Sequence, residues 1–147
     1  MKSLFMTTMA SLCLLLSHSA HGAEHRVRML NQEGDETMLF LPAFVHAQVG
    51  DTVRFEPTQS GHYVRSLATP EKAEAWQSEL DKPFTLTLTQ EGLYFYMCPP
   101  HLMMGMVGLI QVGNPVNKAV VSKQMLANKG RMYSNSARID SLLTQVK

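Results

Sequence analysis

Cysteine is scarce in this chain. There are two thiols in 147 residues, and Cys13 lies in the apolar stretch near the amino terminus. Lys2, the run around Leu12-Cys13-Leu14-Leu15-Leu16 and the small residues in Ala20-His21-Gly22-Ala23 form the pattern of a secretory signal peptide. Cleavage is expected after Gly22 or Ala23; with residues 1–23 taken as the signal peptide, 24–147 remains as a single domain. Leu12 is bulky and precedes Cys13 inside the apolar run, which argues against lipid attachment there. Cys98 then has no intramolecular disulfide partner. A lone thiol in an oxidising compartment calls for burial, an intermolecular bond or a metal.

Long apolar runs are also missing. The amino-terminal run is shorter than the roughly 20 residues that span a bilayer, and none later is longer, so no membrane anchor is expected. Charge of one sign is lacking as well. The formal net charge is +1, and bulk attraction to nucleic acid is not indicated. The charge is uneven, however. Residues 24–114 hold 6 Lys/Arg against 11 Asp/Glu, whereas 115–147 hold 6 against Asp140 alone. Neither an internal repeat nor a low-complexity linker is present, which excludes a solenoid or a tethered pair of domains.

What is present is strand patterning. Apolar and polar residues alternate in Thr52-Val53-Arg54-Phe55-Glu56 and in 84–89. Further strands are predicted at 26–30, 38–41, 93–97 and 107–112, with Gly50-Asp51 and Gln90-Glu91-Gly92 supplying turns. Short strands separated by turns point to an antiparallel sandwich. Thr69-Pro70-Glu71 carries the signals of a short helix running toward Ser78, in the middle of the chain. Asn114-Pro115 opens a second helix that stops near Gly130. Ile139, Leu142, Leu143 and Val146 form one apolar stripe of a last helix, and the simplest role for this pair is to cover the sandwich.

The densest chemistry lies in Cys98-Pro99-Pro100-His101-Leu102-Met103-Met104-Gly105-Met106, where a thiolate, an imidazole and a thioether fall within nine residues. Two His, one Cys and a weak axial Met are the ligands of blue-copper centres. Cys98 and His101 can reach one ion only if the segment turns tightly, and the consecutive prolines do not fit an ordinary type I turn. Cys98 follows an apolar run and so sits at a strand end. His62, after Gly61, is the favoured second imidazole; His46, in the strand-like Phe44-Val45-His46-Ala47, is the alternative, and His25 lies near the new amino terminus, where mobility is expected. Met106 competes with Met103 and Met104 for the axial place.

The chain resembles the pseudoazurins, periplasmic cupredoxins. The resemblance rests on Met29-Leu30-Asn31, Pro42-Ala43, Gly50-Asp51-Thr52-Val53, Gly61-His62-Tyr63-Val64, Thr85-Leu86-Thr87, Gly92-Leu93-Tyr94, the Cys98 to Met106 loop and Val112-Gly113. It implies an all-β, cupredoxin-like Greek-key sandwich with two C-terminal α-helices. It also implies one type 1 copper ion on His62, Cys98, His101 and Met106. The implied function is a soluble periplasmic carrier of single electrons, not an enzyme, and a monomer. Its redox partners would be nitrite reductase, nitrous oxide reductase or cytochromes. The tail from Pro115 separates the chain from plastocyanins, which share the ligand spacing.

Two departures from the family pattern stand out. Tyr63 and Pro99 occupy places where the family usually has Asn and Thr, so the usual side-chain bond between the ligand loops cannot form, and the potential should differ. Gln32, Ser60, Glu79 and Met97 occupy places where lysines usually ring the docking patch, while Pro100, Leu102, Met103 and Met38 keep that patch apolar. A competing function is a copper chaperone or store that uses Met97, Met103, Met104 and Met106. An enzyme built on a Cys98–His101 nucleophile is disfavoured, because no third orienting group is evident.

Overall fold

The computed structural model describes residues 22–147, so residues 1–21 of the signal-peptide segment, Cys13 among them, lie outside the described residues. Eight strands are present: β1 (Glu24–Glu33), β2 (Glu36–Leu41), β3 (Phe44–Ala47), β4 (Thr52–Pro57), β5 (Arg65–Ala68), β6 (Phe84–Thr87), β7 (Gly92–Met97) and β8 (Val107–Val112). Two helices follow, α1 (Lys118–Lys129) and α2 (Ala137–Thr144). The strands form two four-stranded sheets, in the orders β2-β1-β4-β6 and β3-β8-β7-β5.

The predicted sandwich is there, but its sheets are mixed rather than antiparallel. β1 runs parallel to β4, and β3 parallel to β8. Side-chain alternation reports which face of a strand is buried and says nothing about the direction of its neighbour; parallel partners simply need a crossover between them.

Period-two alternation sets both layers of the core. On β7, Tyr94 and Tyr96 point into the space between the sheets, where they meet Val27, Met29, Phe40, Val53 and Phe55. Leu93, Phe95 and Met97 point the other way and pack under Val121 and Met125 of α1 and Ile139 and Leu142 of α2. The two helices therefore roof the outer face of the second sheet, and β7 is buried on both faces. Cys98 continues the parity of Tyr94 and Tyr96, so its thiol enters the inner layer at the end of the sandwich.

Residues 69–78 do not form the predicted helix. Thr69 donates its hydroxyl hydrogen to the Ala73 carbonyl (3.0 Å) instead of accepting from an N–H, so the cap is not made. The Ser66 N–H bonds the Trp76 carbonyl (3.0 Å), and Arg65 bridges to Gln77. The extended chain carries the Trp76 ring onto Phe55 and Phe84, with centroids 5.5 and 5.8 Å away. Aromatic burial outweighs the weak local helix signal. The second helix ends beside Gly130 as expected but starts at Lys118, after Asn117. The Asn117 amide accepts from Leu93 N–H (2.7 Å) and donates to the Leu93 carbonyl (3.0 Å), filling the β7 edge where β5 no longer pairs. His25 belongs to β1, with its ring on Asp51, so the mobility expected of it is not found.

Candidate metal centre

The Cys98–Met106 loop is built from its prolines outward. Pro99 and Pro100 begin a 3-10 helix, Pro99–Met104, where their fixed φ is compatible and their missing N–H groups leave no bond unmade. In such a helix residues i and i+3 eclipse each other. The His101 N–H bonds the Cys98 carbonyl (3.0 Å), and this turn brings the imidazole over the thiol. Gly105, at φ 77°, ends the helix in the left-handed region that glycine adopts without strain. The Cys98 N–H then bonds the Met106 carbonyl (3.0 Å) and the Met106 N–H bonds the His101 carbonyl (3.1 Å), which closes the loop.

Three successive carbonyls of this loop are held by the segment joining α1 to α2 and by the first turn of α2. Tyr133 N–H donates to Met103 O (2.9 Å), Asn135 Nδ2 to Met104 O (3.0 Å) and Arg138 Nη1 to Gly105 O (3.1 Å). The same guanidinium donates to the Met38 carbonyl (2.6 Å), the Thr37 carbonyl (2.8 Å) and the Glu36 carboxylate (2.6 Å). Asn135 also presses on Gly105, where an added Cβ would come within 2.7 Å of the Asn135 Cβ. None of these clamping residues was singled out from sequence, since each acts through backbone more than 25 positions away.

His62 reaches the site from the other side. It is fully buried, and its loop is pinned by Asp81, whose Oδ1 accepts from the N–H groups of Gly61 (2.7 Å) and His62 (3.0 Å). Asp81 N–H returns a bond to the His62 carbonyl (2.8 Å). The two rings sit 5.0 Å apart, and both Nδ1 atoms face the sulfur, at 3.7 Å for His62 and 3.4 Å for His101. The three donor atoms of His62, Cys98 and His101 all lie within 4.8 Å of one another.

Burial lowers the pKa of both imidazoles, and for His62 the neighbouring His101 lowers it further while Asp81 opposes. Both rings are therefore neutral at pH 7, the form in which nitrogen lone pairs are free to bind a metal. Burial pushes the Cys98 thiol up to about 11, against the pull of N–H groups from Tyr63 and His101. With no metal, the thiol is protonated and unreactive; a bound cation would displace that proton. Two neutral imidazoles and a buried sulfur, with no carboxylate in the cluster, fit copper better than a hard cation.

Met106 is fully buried in the same cluster as Cys98. Met103 is 57% exposed and Met97 is buried against the helices, so the methionines do not converge as a copper store would need. His46 stands exposed on β3, away from the cluster. Leu102 is buried beneath the loop, which leaves Pro100 and Met103 exposed on either side of the half-exposed His101 in sequence, with the half-buried Met38 tied to the loop through Arg138; Met97 is buried and belongs to no surface ring.

Residues 27–113 match the family of copper binding proteins, plastocyanin/azurin family. A pseudoazurin of Paracoccus pantotrophus is 39% identical over 140 residues, covering 93% of each chain. The chain belongs to the pseudoazurins. The crystal structure of native pseudoazurin from Hyphomicrobium denitrificans superposes with a TM-score of 0.71 at 36% identity, over 85% of this chain and 99% of that one. The pseudoazurin of Methylobacterium extorquens AM1 gives 0.68 at 32% identity, over 84% and 99%. As a pseudoazurin, the protein is a blue-copper electron carrier and not an enzyme.

Proposed function

We propose that a single type 1 copper ion is held by His62, Cys98 and His101, with Met106 as a weaker axial ligand, and that this centre passes single electrons to and from partner proteins. The observation that carries the reading is the mutual approach of the three donor atoms, within 4.8 Å, in a buried cluster free of carboxylates. Copper supplies the redox change. The residues supply a fixed frame: a loop closed on itself and clamped through three carbonyls, and a His62 arm pinned by Asp81. A frame that barely moves suits a metal that must change oxidation state quickly in both directions.

The electron's exit is the exposed edge of His101 among Met38, Pro100 and Met103. Small contacts of under about 1,200 Å² are typical of transient redox encounters. The partners would be nitrite reductase, nitrous oxide reductase or cytochromes. Gln32, Ser60 and Glu79 are exposed where a lysine ring would stand, so apolar contact rather than charge steering governs the encounter. Among the described residues no helix is long and apolar enough to cross a membrane. The signal-peptide pattern supports export to the periplasm by cleavage after Gly22 or Ala23, with sandwich 24–114 and helical extension 115–147 forming one domain that acts as a monomer on this reading.

The test is to add copper to the purified mature protein and record its visible spectrum. An intense thiolate-to-copper charge-transfer band, absent in Cys98→Ala, is expected. A colourless complex that binds only Cu(I) would overturn the redox reading and favour a store.

A further inference from the structure

The amino-terminal end of β1 carries a second arrangement of nitrogen donors that the blue-copper centre does not use. Of the two cleavage points, the one after Gly22 places small residues at Ala20 and Gly22, the spacing that signal cleavage prefers, whereas the one after Ala23 places His21 there. Export on that reading leaves a chain that begins Ala23-Glu24-His25. Its first three residues then hold an α-amine, two amide nitrogens and, at the third position, an imidazole. We propose that this terminus is a metal site that takes Cu(II) or Ni(II) in a square plane of four nitrogens. The proposal rests on cleavage after Gly22.

The chemistry follows from ring size. The α-amine of Ala23, the amide nitrogens of Glu24 and His25 and Nδ1 of His25 are spaced so that one ion closes two five-membered chelate rings and one six-membered ring. The two amide protons leave to solvent as the ion binds, and its oxidation state is unchanged. Square-planar nitrogen sets select Cu(II) and Ni(II) among the common divalent ions.

The folded chain already gathers the two anchoring groups. The Ala23 peptide N–H, the nitrogen that cleavage after Gly22 would turn into the α-amine, donates to Asp51 Oδ1 (2.8 Å), and His25 Nε2 lies 2.9 Å from Asp51 Oδ2, so one carboxylate gathers both positions. A ring that donates from Nε2 keeps its lone pair on Nδ1, the nitrogen that the chelate needs. Ala23 and Glu24 are exposed and the His25 side chain is 28% exposed, which gives an ion access. Pairing with β2 begins only at Arg28, so one edge of 24–27 is open. Closing the chelate peels the pairs Glu24–Thr52 and His25–Val53 from the end of the ladder, while Arg26 to Met29 remain on β4. Strand ends open at low cost.

This terminus lies at the opposite end of the sandwich from Cys98, since β1 and β7 both run from that end toward the copper loop. β7 alone, with six residues, spans about 20 Å at about 3.3 Å per residue. The two centres would differ in kind. The all-nitrogen site contains no thiolate and gives no intense visible band.

The experiment uses exported, copper-loaded protein. Intact mass identifies the first residue, and Ni(II) is then added and retained nickel counted by native mass spectrometry while the blue band is followed. One retained nickel per chain is expected, with the blue band unchanged. The nickel should be lost in His25→Ala and in a chain with one glycine inserted before Ala23, which moves His25 to the fourth position. A chain that begins at Ala23 and retains no nickel, or a His25→Ala protein that still retains it, overturns the site and leaves the export reading standing. A chain that begins at Glu24 overturns the cleavage reading and the site together.

Discussion

The two ends of the sandwich are held by different means. At the metal end, the loop Cys98–Met106 owes its shape to bonds from far along the chain: Tyr133, Asn135 and Arg138 each take one of its carbonyls. At the far end, strand ends are closed one or two bonds at a time, as by the Tyr94 hydroxyl donating to the Gln90 carbonyl (2.8 Å) and by Asn117 filling the Leu93 edge. Fixing donor atoms demands many convergent restraints on backbone, because the burial of Leu102 and Met106 anchors the loop without setting the direction of its carbonyls. Ending a strand demands only that its orphan N–H and C=O groups be satisfied. The C-terminal helices therefore do more than roof the second sheet; the segment between them, with Arg138 in the first turn of α2, is the outer wall of the metal site.

This contrast can be broken most sharply at the far end. Asn117→Ala leaves both backbone groups of the buried Leu93 without partners. It should lower stability by about 2–6 kcal/mol, since each of the two unmet buried groups costs about 1–3 kcal/mol. The visible spectrum should stay unchanged. Denaturant unfolding of the copper protein, with its absorption recorded in parallel, checks both halves; a shifted band would show that the two ends are coupled.

Arg138→Ala tests the metal end. It removes a largely buried guanidinium that bonds Glu36, Thr37, Met38 and Gly105, and a loss of about 1.5–3 kcal/mol is expected. Here the spectrum and potential should move as well, because Gly105 directly precedes Met106. Lysine should not restore them, since a single ammonium cannot reproduce the planar fork. If only stability falls, the clamp is structural and does not shape the site.

Tyr94→Phe is smaller, about 1–2 kcal/mol for two neutral hydrogen bonds, one donated to the Gln90 carbonyl and one accepted from the Gln90 N–H, and it carries a pH signature. Burial raises the Tyr94 pKa above its ordinary 10.0. A phenol whose pKa is raised in the folded state contributes stability that is complete below the unfolded value and is lost as pH rises through the folded one. The native protein should therefore lose stability above about pH 10 more steeply than Tyr94→Phe, as chemical denaturation across that range would show. The smallest effect concerns docking. Partner reduction rates should change little with added salt, and a steep fall would mean that the basic C-terminal helices steer the encounter.

Much of the fold could be read from local pattern. Alternation located β4 and β6, apolar runs located β7 and β8, and the stripe Ile139, Leu142, Leu143 and Val146 located α2, whose Ile139 and Leu142 are buried; the short β5, Arg65–Ala68, carries no such pattern and was not predicted. Strand direction could not be read, because the parallel pairs β1–β4 and β3–β8 depend on crossovers rather than on neighbouring residues. The helix signal at Thr69-Pro70-Glu71 failed because Trp76 is worth more against Phe55 and Phe84 than a short exposed helix. The three clustered donors were legible because the site's chemistry is concentrated in His62, Cys98 and His101. Their supports were not: Asp81, Asn135 and Arg138 look like ordinary surface polar residues until the fold brings them beside the ligand loops.

The most direct test is a pair of crystal structures of the copper-loaded protein, oxidised and reduced. The account predicts one copper bonded to Nδ1 of His62, Nδ1 of His101 and Sγ of Cys98, with Met106 sulfur at longer range. The loop from Cys98 to Met106 and its three clamped carbonyls should superpose in both states. Copper bound elsewhere, or a loop that rearranges when the oxidation state changes, would contradict it.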